Sequence, residues 1–375
     1  MSIRLAEYRR KEGRADGFGA SFGKRGERMD LEHLSEKTEY RAIDFAKFMA
    51  AFLVAAIHIP PLEDCSPWLS HEFQQVVCRM AVPFFFLCTG FFLGEKLLDR
   101  ERTKKYLFHI LKMYLFWTLC YGIPIIERFW KGERSLLKNV GELLRRLFLI
   151  GSYIQLWYLL ATAVAAALLY ACVSVLKWRD RTLIFAAVSL YLLGVLGNSY
   201  RHAFDGFPAV AEGIKIYQAG FLTTRNGVFF GFPFVAAGYL LWKYRGNIRC
   251  RHYGVWTTVF LAAMFVEEYL VRKAWGESSH DMYLFTPAAA VSLFLAVVWI
   301  SLPERTAPGA KLLRRLSTYL FLLHMLVNFC LKKTPLWELA WVKYSPVHYG
   351  IVVGVSVLLG LVICFVQDRR KRKSR

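Results

Sequence analysis

The sequence predicts an all-α, polytopic membrane helical bundle of about ten transmembrane helices, and three observations predict it. First, 56% of the 375 residues are hydrophobic, against about 45–50% in ordinary soluble chains. Second, the mean hydropathy is +0.32 although 21% of the chain is charged, so the charges are segregated from the apolar runs, as membrane spans require. Third, Lys and Arg bracket those runs in the pattern that concentrates them in short cytoplasmic loops. A disordered chain, a disulfide mini-scaffold, a collagen-like repeat and an ordinary cytosolic enzyme are excluded. The net charge of +21 follows the spans, so no nucleic-acid partner is expected. Cys65, Cys78, Cys88, Cys120, Cys172, Cys250, Cys330 and Cys364 form no C-x-x-C pair. They predict neither a zinc site nor a disulfide framework.

Residues 1–40 are polar and carry both signs, including Arg9, Arg10, Lys11, Lys24, Arg25 and Arg28 against Glu27, Asp30, Glu32 and Glu36. With no apolar stretch before a small-residue cleavage site, they read as a cytoplasmic tail, expected to be disordered. Met29 offers a second start, and no function is placed there. The membrane domain is expected over 41–366, followed by a basic cytoplasmic tail at 367–375. Apolar runs of about 17–22 residues fall at 43–59, 76–94, 106–126, 155–176, 182–197, 225–242, 254–271, 282–302, 316–331 and 348–366. From a cytoplasmic start, ten crossings return the C-terminus to the cytoplasm of a plasma (inner) membrane protein.

The charges agree with that orientation. The inner loops carry Lys96, Arg100, Arg102, Lys104 and Lys105, then Lys177, Arg179 and Arg181, then Lys243, Arg245, Arg249 and Arg251, then Arg305, Lys311, Arg314 and Arg315. The first outer loop, Pro60 to Gln75, has no Lys or Arg and holds Glu63, Asp64 and Glu72. One outer loop, 127–150, is basic instead. Its Leu136, Leu137, Val140, Leu143, Leu144, Leu147 and Phe148 follow helical spacing, which predicts an amphipathic helix lying in the interface; a miscounted span is the other explanation. Pro124, Pro233 and Pro287 lie within or at the start of runs, where freed carbonyls need protein or water. No internal repeat supports an inverted-repeat transporter.

The first run carries the densest chemistry. At 100° per residue, Asp44, Lys47, Ala51, Val54 and His58 share an arc of about 80°. Ionisable groups cost about 2.5–3.5 kcal/mol inside a membrane and therefore face a bundle interior or a water-filled cavity. Asp44 and Lys47 are placed to pair as i, i+3 neighbours near the cytoplasmic face. His58 lies about 21 Å further along, at one end of a path across the bilayer. A neutral imidazole there suits a general base for a hydroxyl; a span-end histidine bonded to a neighbour or water is the alternative.

Arg79, near the outer end of the second run, suits clamping an anion or carbonyl, or snorkelling. Gln155-Leu156-Trp157-Tyr158, taken alone, is an aromatic-belt element. Thr223-Thr224-Arg225-Asn226-Gly227 combines helix-start chemistry with a cation, and His280 and Asp281 are placed to pair; loop solvation is the plainer reading of both. His324 is a second intramembrane imidazole, a kind more often buried and satisfied than catalytic. The chain has no G-x-S-x-G, Walker, G-x-G-x-x-G or H-E-x-x-H pattern, so function is sought among the spans.

Asp44-x-x-Lys47-x-x-Ala50-x-x-x-Val54-x-x-x-His58, then Val82-Pro83-Phe84-Phe85-Phe86 with Thr89-Gly90-Phe91, then Leu156-Trp157-Tyr158, then Tyr319 to His324, resembles the integral-membrane acyltransferase family 3 over roughly 40–366. The resemblance implies a ten-span fold that passes an acyl group, often acetyl from acetyl-CoA, to a hydroxyl on an extracytoplasmic carbohydrate or cell-envelope polymer. It places His58 at the family's catalytic histidine. It implies acyl-CoA as co-substrate with no bound cofactor or metal, and as partners the lipid bilayer and an envelope carbohydrate or small hydroxylated acceptor. Two positions depart from the family. Lys47 stands where Arg is usual, and His109-Ile-Leu-Lys112-Met-Tyr114 stands where many members have Arg-x-x-Arg, so the donor's phosphates would be gripped without the planar fork.

Ala81-Val-Pro-Phe-Phe-Phe, Thr224-Arg-Asn-Gly-Val-Phe-Phe and His280-Asp-Met-Tyr-Leu-Phe look like the membrane half of vancomycin-resistance serine racemases, where such a half is associated with serine supply. Within the sequence to Arg375 no racemase domain and no pyridoxal lysine can be claimed. The likeness makes a permease for serine or a related small amino acid the rival function. The expected site is thus His58 and His324 as catalytic residues, with Asp44, Lys47, Arg79, His109, Lys112, Trp157, Arg225 and Asn226 binding donor or substrate.

Overall fold

The computed structural model describes residues 40–130, 135–248, 252–276 and 281–373, and among them every regular element is helical. The expected tail at 1–39 lies outside the described residues. In chain order the helices are α1 (Arg41–His58), α2 (Pro67–Leu93), α3 (Arg100–Cys120), α4 (Gly122–Trp130), α5 (Leu136–Arg145), α6 (Trp157–Val175) and α7 (Asp180–Leu196). They continue with α8 (Pro208–Phe221), α9 (Gly227–Lys243), α10 (Tyr253–Trp275), α11 (Thr286–Val298), α12 (Ala307–Leu331) and α13 (Ser345–Lys373). A helix covers the body of each of the ten apolar runs. By length and composition α2, α6, α10 and α13 can cross a membrane, while α9 and α11 are shorter apolar helices.

Local chemistry explains the starts. Ser66 accepts from the Leu69 N–H ahead of Pro67, so α2 begins well before its apolar run at 76. Asp99 accepts from the N–H groups of Glu101 and Arg102 and caps α3. Within α2 the regular winding breaks into a π turn at Phe73–Val77 and a 3-10 turn at Cys78–Met80, an irregularity frequent at functional sites. Arg79 lies in the 3-10 turn.

The core is built on small residues. Ala51 and Ala55 of α1 pack with Leu320 of α12 and Val353 of α13. Helices α2 and α9 approach still more closely: a Cβ on Gly90 would overlap the Val235 carbonyl, and one on Gly238 would overlap the Leu87 carbonyl. Such reciprocal glycine contacts let backbones meet where lipid supplies no hydrophobic drive. On the outside, large apolar side chains such as Phe116, Leu119, Phe185, Leu358 and Val362 are exposed, far more than a soluble monomer carries.

Hydrogen bonds tie together the helix ends that the charge pattern groups. On the basic side, Arg41 donates to the Leu302 carbonyl (3.0 Å), Ser174 to the Leu97 carbonyl (3.0 Å), Lys243 pairs with Asp180 (2.6 Å) and Arg315 with Asp368 (2.8 Å). On the other side, Ser345 and Asp64 exchange two hydrogen bonds, and Arg272 pairs with Glu72 (2.7 Å).

The basic loop forms a helix, α5, as its spacing predicts, with Leu136, Leu137, Val140 and Leu144 exposed, and Arg145 and Arg146 both pair with Glu142. Two elements differ from the sequence reading. Helix α8 was not anticipated; Pro208 at its start and Val210, Ile214, Tyr217 and Phe221 at helical spacing are the signal, obscured by Gly213 and Gly220. The expected tail at 367–373 continues α13 as helix.

The segment before α11 matters most. Residues 281–285 enter the bundle without helical structure, yet Met282 and Tyr283 are fully buried. Non-helical backbone at such depth must be satisfied by protein. Glu267 accepts from the N–H groups of Leu284 (2.6 Å) and Phe285 (3.1 Å), Asn198 accepts from Asp281 N–H (2.9 Å), and Tyr191 donates to the Tyr283 carbonyl (2.7 Å).

Candidate active site

Three cavities share walls through the bundle. The central one, about 30 Å³, holds a water or two at about 10–15 Å³ each. It is lined by His58, Arg79, Gln155, Trp157, Arg225 and Asp281 among others. An inner cavity of about 220 Å³ is lined by Lys47, Thr89, Tyr106, His109 and Arg314, and it shares Tyr158 and Phe321 with the central one. A third, of about 170 Å³, contains Arg146 and Asn226 and shares Trp157 and Arg225 with the central one.

Asp281 organises the central cavity. Its Oδ1 is 2.5 Å from Arg79 and 2.9 Å from Arg225. Arg79 also donates to Gln75 (3.2 Å), and the Arg225 guanidinium lies 4.7 Å over the Trp157 ring, a desolvated cation–π contact. Both arginines are therefore turned into the bundle and do not snorkel. Asp281, expected either to pair with His280 or to be solvated in its loop, is buried against the two arginines, because Asn198 and Glu267 draw its segment inward. His280 lies outside the described residues.

His58 ends α1 and faces this cavity, with His324 of α12 stacked behind it at 5.6 Å between ring centroids. His324 is fully buried, and its Nδ1 lies 3.1 Å from the Leu320 carbonyl. A carbonyl only accepts, so Nδ1 carries the proton and Nε2 the lone pair.

The inner cavity brings together Lys47 and His109, as expected, and adds Arg314, which sequence reasoning left in an inner loop. The expected Asp44–Lys47 pair does not form. Asp44, almost fully buried, is held by both arms of Arg314 (2.8 and 2.6 Å), while the Lys47 ammonium sits 4.7 Å over Phe92. Lys112 is also displaced from its expected role: it is exposed, lies over Phe108 at 4.5 Å, and does not line the cavity.

Asn226 caps α9, accepting from Val228 and Phe229 N–H, and donates to Tyr217; its side chain is committed to structure at the rim of the third cavity. Gln155 and Tyr158, passed over as an aromatic belt, are cavity residues.

Comparison with known proteins places this geometry. The acyltransferase domain family matches residues 40–366. Two amino-acid racemases of Enterococcus faecalis are 27% and 28% identical over 334 and 357 residues, which cover 87% and 91% of this chain but 46% and 47% of theirs. A serine/alanine racemase of Enterococcus gallinarum is 29% identical over 297 residues, 76% of this chain and 40% of its own. The chain thus spans less than half the length of these curated relatives. No solved structure matches it significantly.

Proposed function

Because the chain belongs to acyltransferase family 3, we propose that it moves an acyl group, acetyl from acetyl-CoA in the expected case, to a hydroxyl of an extracytoplasmic envelope carbohydrate or small acceptor. In this reading the helices of all ten apolar runs cross the plasma (inner) membrane and both termini are cytoplasmic. The observation that carries it is the shared wall of Tyr158 and Phe321 between a basic inner cavity and the His58 cavity. Lys47, His109 and Arg314 supply cations for the donor's phosphates on the inner side. The acyl end reaches across the shared wall to His58.

His58 accepts the acceptor's hydroxyl proton as the oxygen bonds to the thioester carbonyl carbon. The carbon–sulfur bond then breaks, and the imidazolium returns the proton to the departing thiolate. Arg79 and Arg225 hold the acceptor. Asp44 fixes Arg314, and Trp157 fixes Arg225. The test is transfer of label from acetyl-CoA to envelope material in membranes holding the wild type or His58→Ala. Loss of transfer in a folded variant is expected, and retained transfer overturns His58 as base.

A second reading has a specific observation behind it. The third cavity shares Trp157 and Arg225 with the central one, so the three succeed one another as a pathway would, and the similar proteins bear racemase names. A permease for serine or a similar amino acid would take up labelled serine with no acyl donor present. Uptake without transfer would establish that reading.

A further inference from the structure

Beside His58 the protein assembles more polar capacity than it uses. Arg79 and Arg225 share the single carboxylate of Asp281, leaving one positive charge in excess. The Nε atoms of both arginines and both amide atoms of Gln155 are buried without a hydrogen-bond partner. Gln155 itself is 1% exposed. All four side chains line the same cavity as His58. Buried groups left in this state are destabilising, and such clusters call for an explanation.

We propose that Arg79, Arg225, Gln155 and Asp281 form a carboxylate subsite, and that the molecule presenting a hydroxyl to His58 is a compact hydroxylated monocarboxylate, an amino acid or a hydroxy acid. The inference rests on the reading above only in taking His58 as the group that meets the hydroxyl. The single excess charge matches a monoanion, and two guanidinium edges suit the planar, two-oxygen shape of a carboxylate. The Gln155 amide adds a donor on the same wall. Asp281, once the arginines turn part of their hydrogen bonding to the ligand, offers an acceptor to an ammonium or hydroxyl on the adjacent carbon. The small cavity restricts the bound end to a few heavy atoms.

The experiment is equilibrium binding of L-serine, D-glycerate and glycerol to the purified full chain in lipid nanodiscs, for the wild type and Arg225→Gln. Serine, glycerate or both should bind at least about tenfold tighter than glycerol, and Arg225→Gln should weaken the carboxylates at least about tenfold while leaving glycerol unchanged. Serine alone would assign an amino acid, glycerate alone a hydroxy acid. Equal binding of glycerol and the carboxylates, no binding of either carboxylate, or undiminished binding by Arg225→Gln overturns the subsite. If Arg225→Gln does not fold, the wild-type comparison decides. Label transfer from acetyl-CoA is scored separately in the same preparation. Carboxylate binding with no transfer keeps the subsite and removes the acyltransferase; transfer to a neutral sugar with no carboxylate bound does the reverse.

Discussion

The imidazoles of His58 and His324 stack with centroids 5.6 Å apart and planes 20° from parallel. They come from helices that pack together through the core, α1 and α12. His324 lines none of the three cavities described above, and its ring packs against that of His58. Its tautomer is set by the Leu320 carbonyl.

Replacing His324 with Ala should therefore lower kcat by about 10- to 100-fold with the KM for acyl-CoA unchanged, because positioning of a general base is lost and donor binding is not. His324→Phe keeps a stacking ring and should recover much of the rate. A phenylalanine variant as slow as the alanine one would show that His324 exchanges protons itself.

Removing the partition between cavities has a different signature. Phe321→Ala deletes part of the wall that Tyr158 and Phe321 share, their centroids 5.4 Å apart. Water should then reach the acyl group, and hydrolysis of acetyl-CoA without acceptor should rise several-fold relative to transfer. Free CoA measured against labelled product reads the ratio; an unchanged ratio would mean the wall does not separate donor from water.

Asp44→Asn removes the buried carboxylate that holds Arg314 by two bonds. The variant should lose about 2–3 kcal/mol of stability and raise the KM for acyl-CoA, since Arg314 also lines the inner cavity. Arg314→Gln should raise the same KM with a larger loss of melting temperature, because it leaves the buried Asp44 carboxylate unpaired, whereas Asp44→Asn leaves a half-exposed guanidinium that water solvates. The two variants are compared by thermal melts in detergent and by donor saturation curves.

At the α2–α9 contact, Gly90→Ala places a methyl group against the Val235 carbonyl, which is backbone and cannot rotate away. A loss of about 1–3 kcal/mol is expected. Gly246→Ala, where a Cβ would meet only open space, is the control and should melt like the wild type.

The sequence made α1 legible because helical periodicity is local: Asp44 and His58 share a face by angle alone, and the structure buries that face. The same reasoning misassigned the partner of Asp44, since Arg314 lies 270 residues away and nothing local selects it over Lys47. Asp281 was unreadable for a related reason. Its place depends on Asn198 and Glu267 satisfying a non-helical segment, and that agreement exists only after three parts of the chain meet. Gln155 was hidden by its neighbours, whose aromatic character is equally good membrane-belt chemistry. The positive-inside pattern, by contrast, grouped helix ends that the structure joins by hydrogen bonds, because loop charge records sidedness without reference to packing.

The reciprocal overlap that Gly90 and Gly238 would suffer with any side chain has a mechanical meaning. Two helices touching backbone to backbone lose the whole seam if they slide or part, which ties α2, carrying Arg79, to α9, which follows Arg225, where both guanidiniums meet Asp281. Between the cavities stand single aromatic side chains, Trp157 toward the third and Phe321 and Tyr158 toward the inner one. The seam holds the frame, and the partitions within it are one ring thick.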